Sequence, residues 1–149
     1  MYTNDCVKDL IAERFVPVRV HVRENRDEYQ RLSSRYGVQW TPTILVVDAG
    51  GEERHRIEGF LPTGDFLSQV ELGAAHAAFK RGDHAKAEQL FREVASRYAD
   101  TDAGPEALYW AGVSKYRATN DPAALKETAA AFTARYTESA WAKKASVWL

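Results

Sequence analysis

The side chains best suited to chemistry are few, and their spacing suits little of it. Cys6 is the single cysteine of the chain. Disulfide exchange needs an attacking thiolate and a second, resolving thiol, so the usual two-step route is not open to Cys6 alone. It stands next to Val7 in a helical pattern, without a Gly-Pro turn, and reads as an inert or surface cysteine. His21, His55, His76 and His84 have no metal-ligand spacing and no cysteine beside them, so no metal site is expected. Glu52, Glu53 and Glu58 read as solvated turn and strand residues rather than a catalytic carboxylate pair. Gly50-Gly51 belongs to a hairpin pattern with no helix after it, which does not make a phosphate cradle. No Ser-His-Asp order can be argued from spacing, since such triads are assembled by the fold. The expectation is no catalytic residue and no cofactor.

Aromatic side chains are the more promising material. Tyr109, Trp110, Tyr116, Trp141 and Trp148 recur through the C-terminal half. They could line a groove for a peptide. Packing between helices is the favoured alternative, because aromatic rings bury well while their polar tips reach the rim.

Composition narrows the partners. The chain has 149 residues, 45% of them hydrophobic and 28% charged, with a formal net charge of −1. A globular core is therefore available, in one ordinary domain or two very small ones. The charge balance argues against a nucleic-acid surface, which would show clustered excess Lys and Arg. Arg54 and Arg56, around His55, read as the solvated side of a strand. No run approaches the roughly 20 apolar residues of a membrane span. The N-terminus lacks a basic stretch followed by an apolar one, and a lone cysteine suits a reducing compartment; a cytoplasmic location is the expectation.

The elements that must position these residues follow from periodicity. Asn4 or Asp5 can cap a helix over 4–14, with Val7, Leu10 and Ile11 on one face. Val16, Val18, Val20 and Val22 alternate with Pro17, Arg19 and His21, which predicts a strand with one buried face. Pro17 confines that strand to an edge or a bulge. Residues 25–36 predict a helix bearing Tyr29, Leu32 and Tyr36, closed by Gly37. Ile44 to Val47 is continuously apolar, as in a strand buried on both faces. Ala49-Gly50-Gly51 turns the chain into an antiparallel return strand, Glu53 to Phe60, whose core residues are Ile57 and Phe60.

From Leu61-Pro62-Thr63-Gly64 onward everything reads as helix, and alanine becomes abundant. The boundary falls there, giving units 1–64 and 65–149, with helix 65–80 also expected to pack on the sheet. That helix shows Phe66, Val70, Ala74 and Ala77 on one stripe. Helix 84–98 carries Ala87, Leu90, Phe91, Val94, Ala95 and Tyr98. Pro105 opens helix 105–118, where its missing N–H costs nothing. Asn120-Asp121-Pro122 opens the next helix, and Thr137-Glu138-Ser139 caps a last one. Ser96-Arg97-Tyr98-Ala99-Asp100-Thr101 recurs as Ala134-Arg135-Tyr136-Thr137-Glu138-Ser139, with the two tyrosines 38 residues apart. A period of that size with paired helices marks a helical repeat array.

Residues 1–62, with the following helix, resemble the thioredoxin superfamily. The Phe15-Val16-Pro17-Val18-Arg19-Val20 strand, Tyr36-Gly37-Val38-Gln39-Trp40-Thr41-Pro42-Thr43, Ile44-Leu45-Val46-Val47-Asp48 and Gly59 carry the likeness. The resemblance implies a cis Thr41–Pro42 bond and a loop at Trp40, Thr41 and Pro42 whose backbone meets an extended chain. Trp40 falls at that ligand-facing edge, and exposure for binding or simple packing are both open to it. The chain departs from the family in having no Cys-x-x-Cys and no central strand before it. The resemblance puts both upstream of Met1, and puts the missing strand between the Phe15 and Ile44 strands. Either those two strands close up, or another chain supplies the missing one, or Met1 is internal to a longer protein.

Residues 65–149 resemble tetratricopeptide repeats, through Phe79-Lys80-Arg81-Gly82-Asp83-His84-Ala85-Lys86-Ala87 and a more degenerate unit after Pro105. The likeness covers at most two repeats, fewer than the three an independent solenoid needs, so the array must lean on the first unit or on a partner. The fold class expected is α/β then all-α: a partial thioredoxin-like sheet with flanking helices, followed by a tetratricopeptide-like array. The leading function is a protein-interaction module that binds a protein or peptide, with self-association through unpaired strand edges as a further expectation. The alternative is a thiol–disulfide oxidoreductase whose cysteine pair lies upstream of Met1, and a third is an adaptor in which only the repeats bind.

Overall fold

The computed structural model describes residues 4–149. Asn4 starts the first helix, α1 (Asp5–Arg14), by accepting the Cys6 amide on its side chain, so one of the free N–H groups of the first turn is paired. Val7 on its inner face is buried. Next come α2 (Arg26–Tyr36), β1 (Thr43–Val47), β2 (Glu53–Glu58) and α3 (Thr63–Lys80). The chain continues through α4 (His84–Arg97), α5 (Ala103–Thr119), α6 (Ala123–Ala134) and α7 (Ala140–Ala145), and closes with a 3-10 turn at Ser146–Trp148.

β1 and β2 form a two-stranded antiparallel sheet, with Ile44 opposite Ile57 and Val46 opposite His55. A bulge between Val46 and Val47 puts Val47 opposite Glu53. The turn between the strands is set by Asp48, whose Oδ1 accepts from the amides of Gly50 at 2.9 Å and Glu52 at 3.0 Å. Gly51 takes φ +81°, open to glycine at little cost.

α3 is the hub. Its first half places Phe66 and Val70 with Val7 and Ile57 in one apolar cluster. Its second half places Leu72, Ala75 and Ala78 with Ala87, Phe91 and Val94 of α4 and Ala103, Ala107 and Ala111 of α5. Each large side chain buried this way contributes about 1.5–3 kcal/mol. Ala129 and Phe132 of α6 and Ala145 of α7 form a third cluster, with Tyr109, Trp141 and Trp148 packed against it. Alanine and glycine let the backbones come close. A Cβ on Gly73 would meet Val46 Cγ2 at 2.8 Å, and one on Gly112 would meet Thr128 Oγ1 at 2.0 Å.

The repeated Arg-Tyr dipeptides have a common role. Arg97 and Tyr98 reach back to the buried Glu71 of α3, with Arg97 Nη1 at 3.0 Å and the Tyr98 hydroxyl donating at 3.1 Å. Arg135 and Tyr136 reach back to the α4–α5 loop: Arg135 Nη2 donates to Asp100 at 3.1 Å and the Tyr136 hydroxyl to Ala99 O at 2.6 Å. Each dipeptide ties a helix end to the layer before it.

Residues 15–22 are not a strand: Val16 is 92% and Val18 80% exposed, and residues 16–20 make no backbone hydrogen bond to the rest of the described chain. A strand exists only in a ladder, and the two strands present pair with each other and not with this segment. The two expected strands therefore have not closed up. The Ile44–Val47 run is not buried on both faces. Ile44 and Val46 face α3, whereas Val47 on the opposite face is 39% exposed. Phe60 is 76% exposed rather than core, since Gly59 at φ +85° ends the strand before it. Ala74 and Ala77 are only half-buried, because the packing of α3 on both units rotates Leu72, Ala75 and Ala78 into the centre. His55 is not on a solvated face but packs on α3. Arg54 and Arg56 are half-buried in ion pairs with Asp48 and with Glu53 and Glu58. Helix α5 begins at Ala103, two positions before Pro105.

Candidate protein-binding site

The loop from α2 to β1 is held at both ends and left open in the middle. Gly37, at φ +60°, ends α2 in the left-handed conformation, and the Val38 amide donates to Ser33 O at 2.9 Å. The end of α2 is tied to the hairpin turn: Arg35 Nη2 donates to Gly51 O at 3.0 Å and the Tyr36 hydroxyl donates to the same oxygen at 2.8 Å. Arg56 Nη2 also donates to Tyr36 O. Paired carboxylates hold this guanidinium: Glu53 at 2.7 Å and Glu58 at 3.3 Å. In return, the hydrogen bond from Arg56 keeps the Glu53 carboxyl below its usual pKa. Backbone amides, that of Glu52 first, and Arg54 do the same for Asp48.

Trp40, Thr41 and Pro42 follow. The Thr43 hydroxyl donates to Trp40 O at 2.6 Å, and the Gly59 amide donates to Pro42 O at 2.8 Å. The Thr41–Pro42 peptide bond is cis. Trp40 is 67% exposed, Thr41 is exposed, and Pro42 is half-buried. The last ladder pair is Thr43 with Glu58, and the Gly59–Pro42 hydrogen bond lies just beyond it, so Trp40 and Phe60 both follow directly at this end of the hairpin. Two exposed aromatic side chains, Trp40 and Phe60, therefore stand at the same end of the hairpin.

The β1 edge beside this loop is open. Antiparallel ladders alternate, and hydrogen-bonded pairing at Pro42–Gly59 makes the next bonded pairs Ile44–Ile57 and Val46–His55. The amides and carbonyls of Thr43, Leu45 and Val47 thus point away from β2, and no other strand lies there among the described residues. β2 presents Glu53, Arg54, Arg56 and Glu58, the charged kind of strand that resists edge pairing, whereas β1 is Thr-Ile-Leu-Val-Val. Elsewhere, a shallow apolar groove on α1 is lined by Val7, Lys8, Ile11, Ala12 and Pro17.

The aromatics of the helical half lie elsewhere, in packing. Trp110 meets Phe79 edge-on at 5.2 Å and His76 at 5.3 Å. Tyr109 stacks on Trp148 at 4.7 Å and tilts against Trp141 at 5.2 Å, and Lys144 Nζ lies 3.8 Å from the Trp141 ring centre. Tyr116 is half-buried on α5. Cys6 is exposed on α1, and the described residues hold no cluster of His, Cys, Asp and Glu that could bind a metal. Among them, too, no helix is long and apolar enough to cross a membrane.

Sequence reasoning missed Phe60 as a surface residue; the signal was Gly59, which lets the strand stop one position before it. It also missed the pairing of His55 with His76 across 21 positions, which nothing in the linear pattern announces.

The family model described as a thioredoxin-like domain matches residues 2–74, ending inside α3. This half of the chain is therefore similar to the thioredoxin-like family, over a span that includes the loop, the hairpin and the part of α3 packed on it. Comparison with curated proteins gave no match, and comparison with solved structures gave none.

Proposed function

We propose that the chain is a protein-interaction module, built from a redox-inactive thioredoxin-like domain and tetratricopeptide-like helical repeats. An extended protein or peptide segment binds at Trp40, Thr41 and Pro42 and lies along the open edge of β1. The observation that carries this reading is the conjunction of two exposed aromatic rings, Trp40 and Phe60, with the unpaired amides and carbonyls of Thr43, Leu45 and Val47. Backbone pairing supplies affinity in such a mode, and side-chain contacts supply selectivity. The helical half meets a second partner, and the single cysteine suits a reducing, cytoplasmic setting.

The test is binding of a permanently unfolded probe, reduced carboxymethylated α-lactalbumin, to the whole chain and to Trp40→Ala and Phe60→Ser variants. Loss of about 10-fold or more in affinity is expected, the scale of a central aromatic anchor. Unchanged affinity in both, with loss on changing Trp141 or Tyr116, would favour the adaptor reading, in which only the repeats bind.

A second reading is a thiol–disulfide oxidoreductase of the thioredoxin family, with its Cys-x-x-Cys upstream of Met1. The similarity over residues 2–74 favours it, since the span includes the Trp40-Thr41-Pro42 loop. The intact mass of the natural product decides between them. A product that begins at Met1 ends the enzyme reading, and one that extends through a Cys-x-x-Cys makes the loop part of a redox site.

A further inference from the structure

A line of polar side chains crosses the molecule where the sheet meets the helices. His55 of β2 and His76 of α3 stack, with ring centres 6.1 Å apart and planes 15° apart. His55 Nε2 lies 2.6 Å from Gln69 Oε1, also on α3. His76 Nε2 lies 3.0 Å from Glu106 Oε1 of α5. Phe91 of α4 and Trp110 of α5 close around the His76 ring, edge-on at 5.0 and 5.3 Å. The Cβ of His55 also lies where a side chain on Gly73 would have to go, so β2 sits hard against α3 at this point.

The two imidazoles are not equivalent. A proton on His76 faces the Glu106 carboxylate. One on His55 faces the neutral Gln69 amide and the His76 ring. We propose that the His55–His76 stack is a pH-sensitive latch, seating the β1–β2 hairpin on α3 at neutral pH and loosening it on acidification, while the α3–α5 contact through Glu106 persists.

The charged groups around His55 are Glu53 on its own strand, His76 on α3 and Glu106 on α5. Arg54 and Arg56 are engaged elsewhere, with Asp48, Glu53 and Glu58. Burial, seconded by His76 and opposed by Gln69 and the two carboxylates, holds His55 below its ordinary imidazole value of 6.5. The unfolded or unlatched chain takes up this proton at the higher pH. Stability of the seated form therefore falls as the pH drops below about 6.5, and the loss levels off below the folded value. The latch stands whether or not the Trp40 loop binds a partner, although the hairpin it holds carries that loop.

The test is amide hydrogen exchange on the whole chain at pH 7.5 and pH 5, corrected for intrinsic rates, in the native protein and in His55→Gln. Hairpin amides are expected to lose more protection on acidification than those of α4 and α5, because the unseated hairpin binds the His55 proton more readily. In His55→Gln this difference should vanish. Equal loss in all elements, or a difference that survives His55→Gln, would overturn the latch. Should His55→Gln fail to fold, the imidazole ring signals of the native protein decide: titration of His55 below 6.5 in step with hairpin shifts supports the latch, and titration at or above 6.5, or without them, refutes it.

Discussion

At the residue scale, the same surface that makes Trp40 and Phe60 useful makes them dispensable to the fold. Neither belongs to an apolar cluster of buried residues, and both are more than half exposed. Truncating exposed side chains away from caps and networks moves stability by about 0.5 kcal/mol or less. Trp40→Ala and Phe60→Ser should therefore melt within roughly 2 °C of the native protein, as read by circular dichroism, for a chain of this size. A larger drop would mean that the rings support the fold and are not held out for a partner. Glu71 is the opposite case. It is buried, and Arg97 and Tyr98 share its carboxylate. Breaking a buried pair costs more than the pair contributes, because one partner is left without compensation. The exposed side of Arg97 moderates that cost, since water can reach the freed guanidinium.

At the element scale, the helices were legible because their signals are local. Asn4, Asp83 and Ser139 each cap a helix with a side-chain oxygen, and Gly37 ends one. The Phe91–Val94 stripe of α4 lies where 3.6-residue periodicity puts it. What was not legible depends on neighbours. The alternation of Val16, Val18, Val20 and Val22 is a good strand pattern, yet β structure is a property of a pair, and the segment has no pair among the described residues. Of the candidate site, Trp40, Thr41 and Pro42 could be found in the linear sequence, whereas Phe60 joins them only through the hairpin register. Helix packing yields a sharp prediction at Gly112. A Cβ there would lie 2.0 Å from Thr128 Oγ1 and 2.7 Å from its Cβ, and a short β-branched side chain has little room to turn aside. Gly112→Ala should cost about 1–3 kcal/mol by overpacking α5 against α6. Denaturant unfolding should show partial recovery in the Gly112→Ala/Thr128→Ala double variant, since residues in contact do not act additively. Full additivity would place the strain elsewhere.

At the scale of the whole molecule, α3 joins the two halves by belonging to both cores, so the sheet rests on the helices rather than standing alone. A two-stranded hairpin is marginal by itself, and α3 supplies the apolar face it needs. That support covers one face and leaves the β1 edge open, a place where two copies of the chain can pair edge to edge. Sedimentation velocity should reveal a dimer that grows with concentration and that Val47→Lys suppresses, since a lysine on an edge strand opposes pairing. A monomer at every concentration would show that the edge is not used in this way.

The proposed docking of an extended chain at the Trp40 loop and along β1 can be mapped residue by residue. The most direct measurement is the map of amide chemical-shift changes when the isotopically labelled whole chain is titrated with unfolded, reduced carboxymethylated α-lactalbumin. Docking there should concentrate the changes at Trp40, Thr41, Thr43, Leu45, Val47 and Phe60 and weaken them together in Trp40→Ala. Changes confined to the helices from α4 onward, or no saturable change at all, would contradict it.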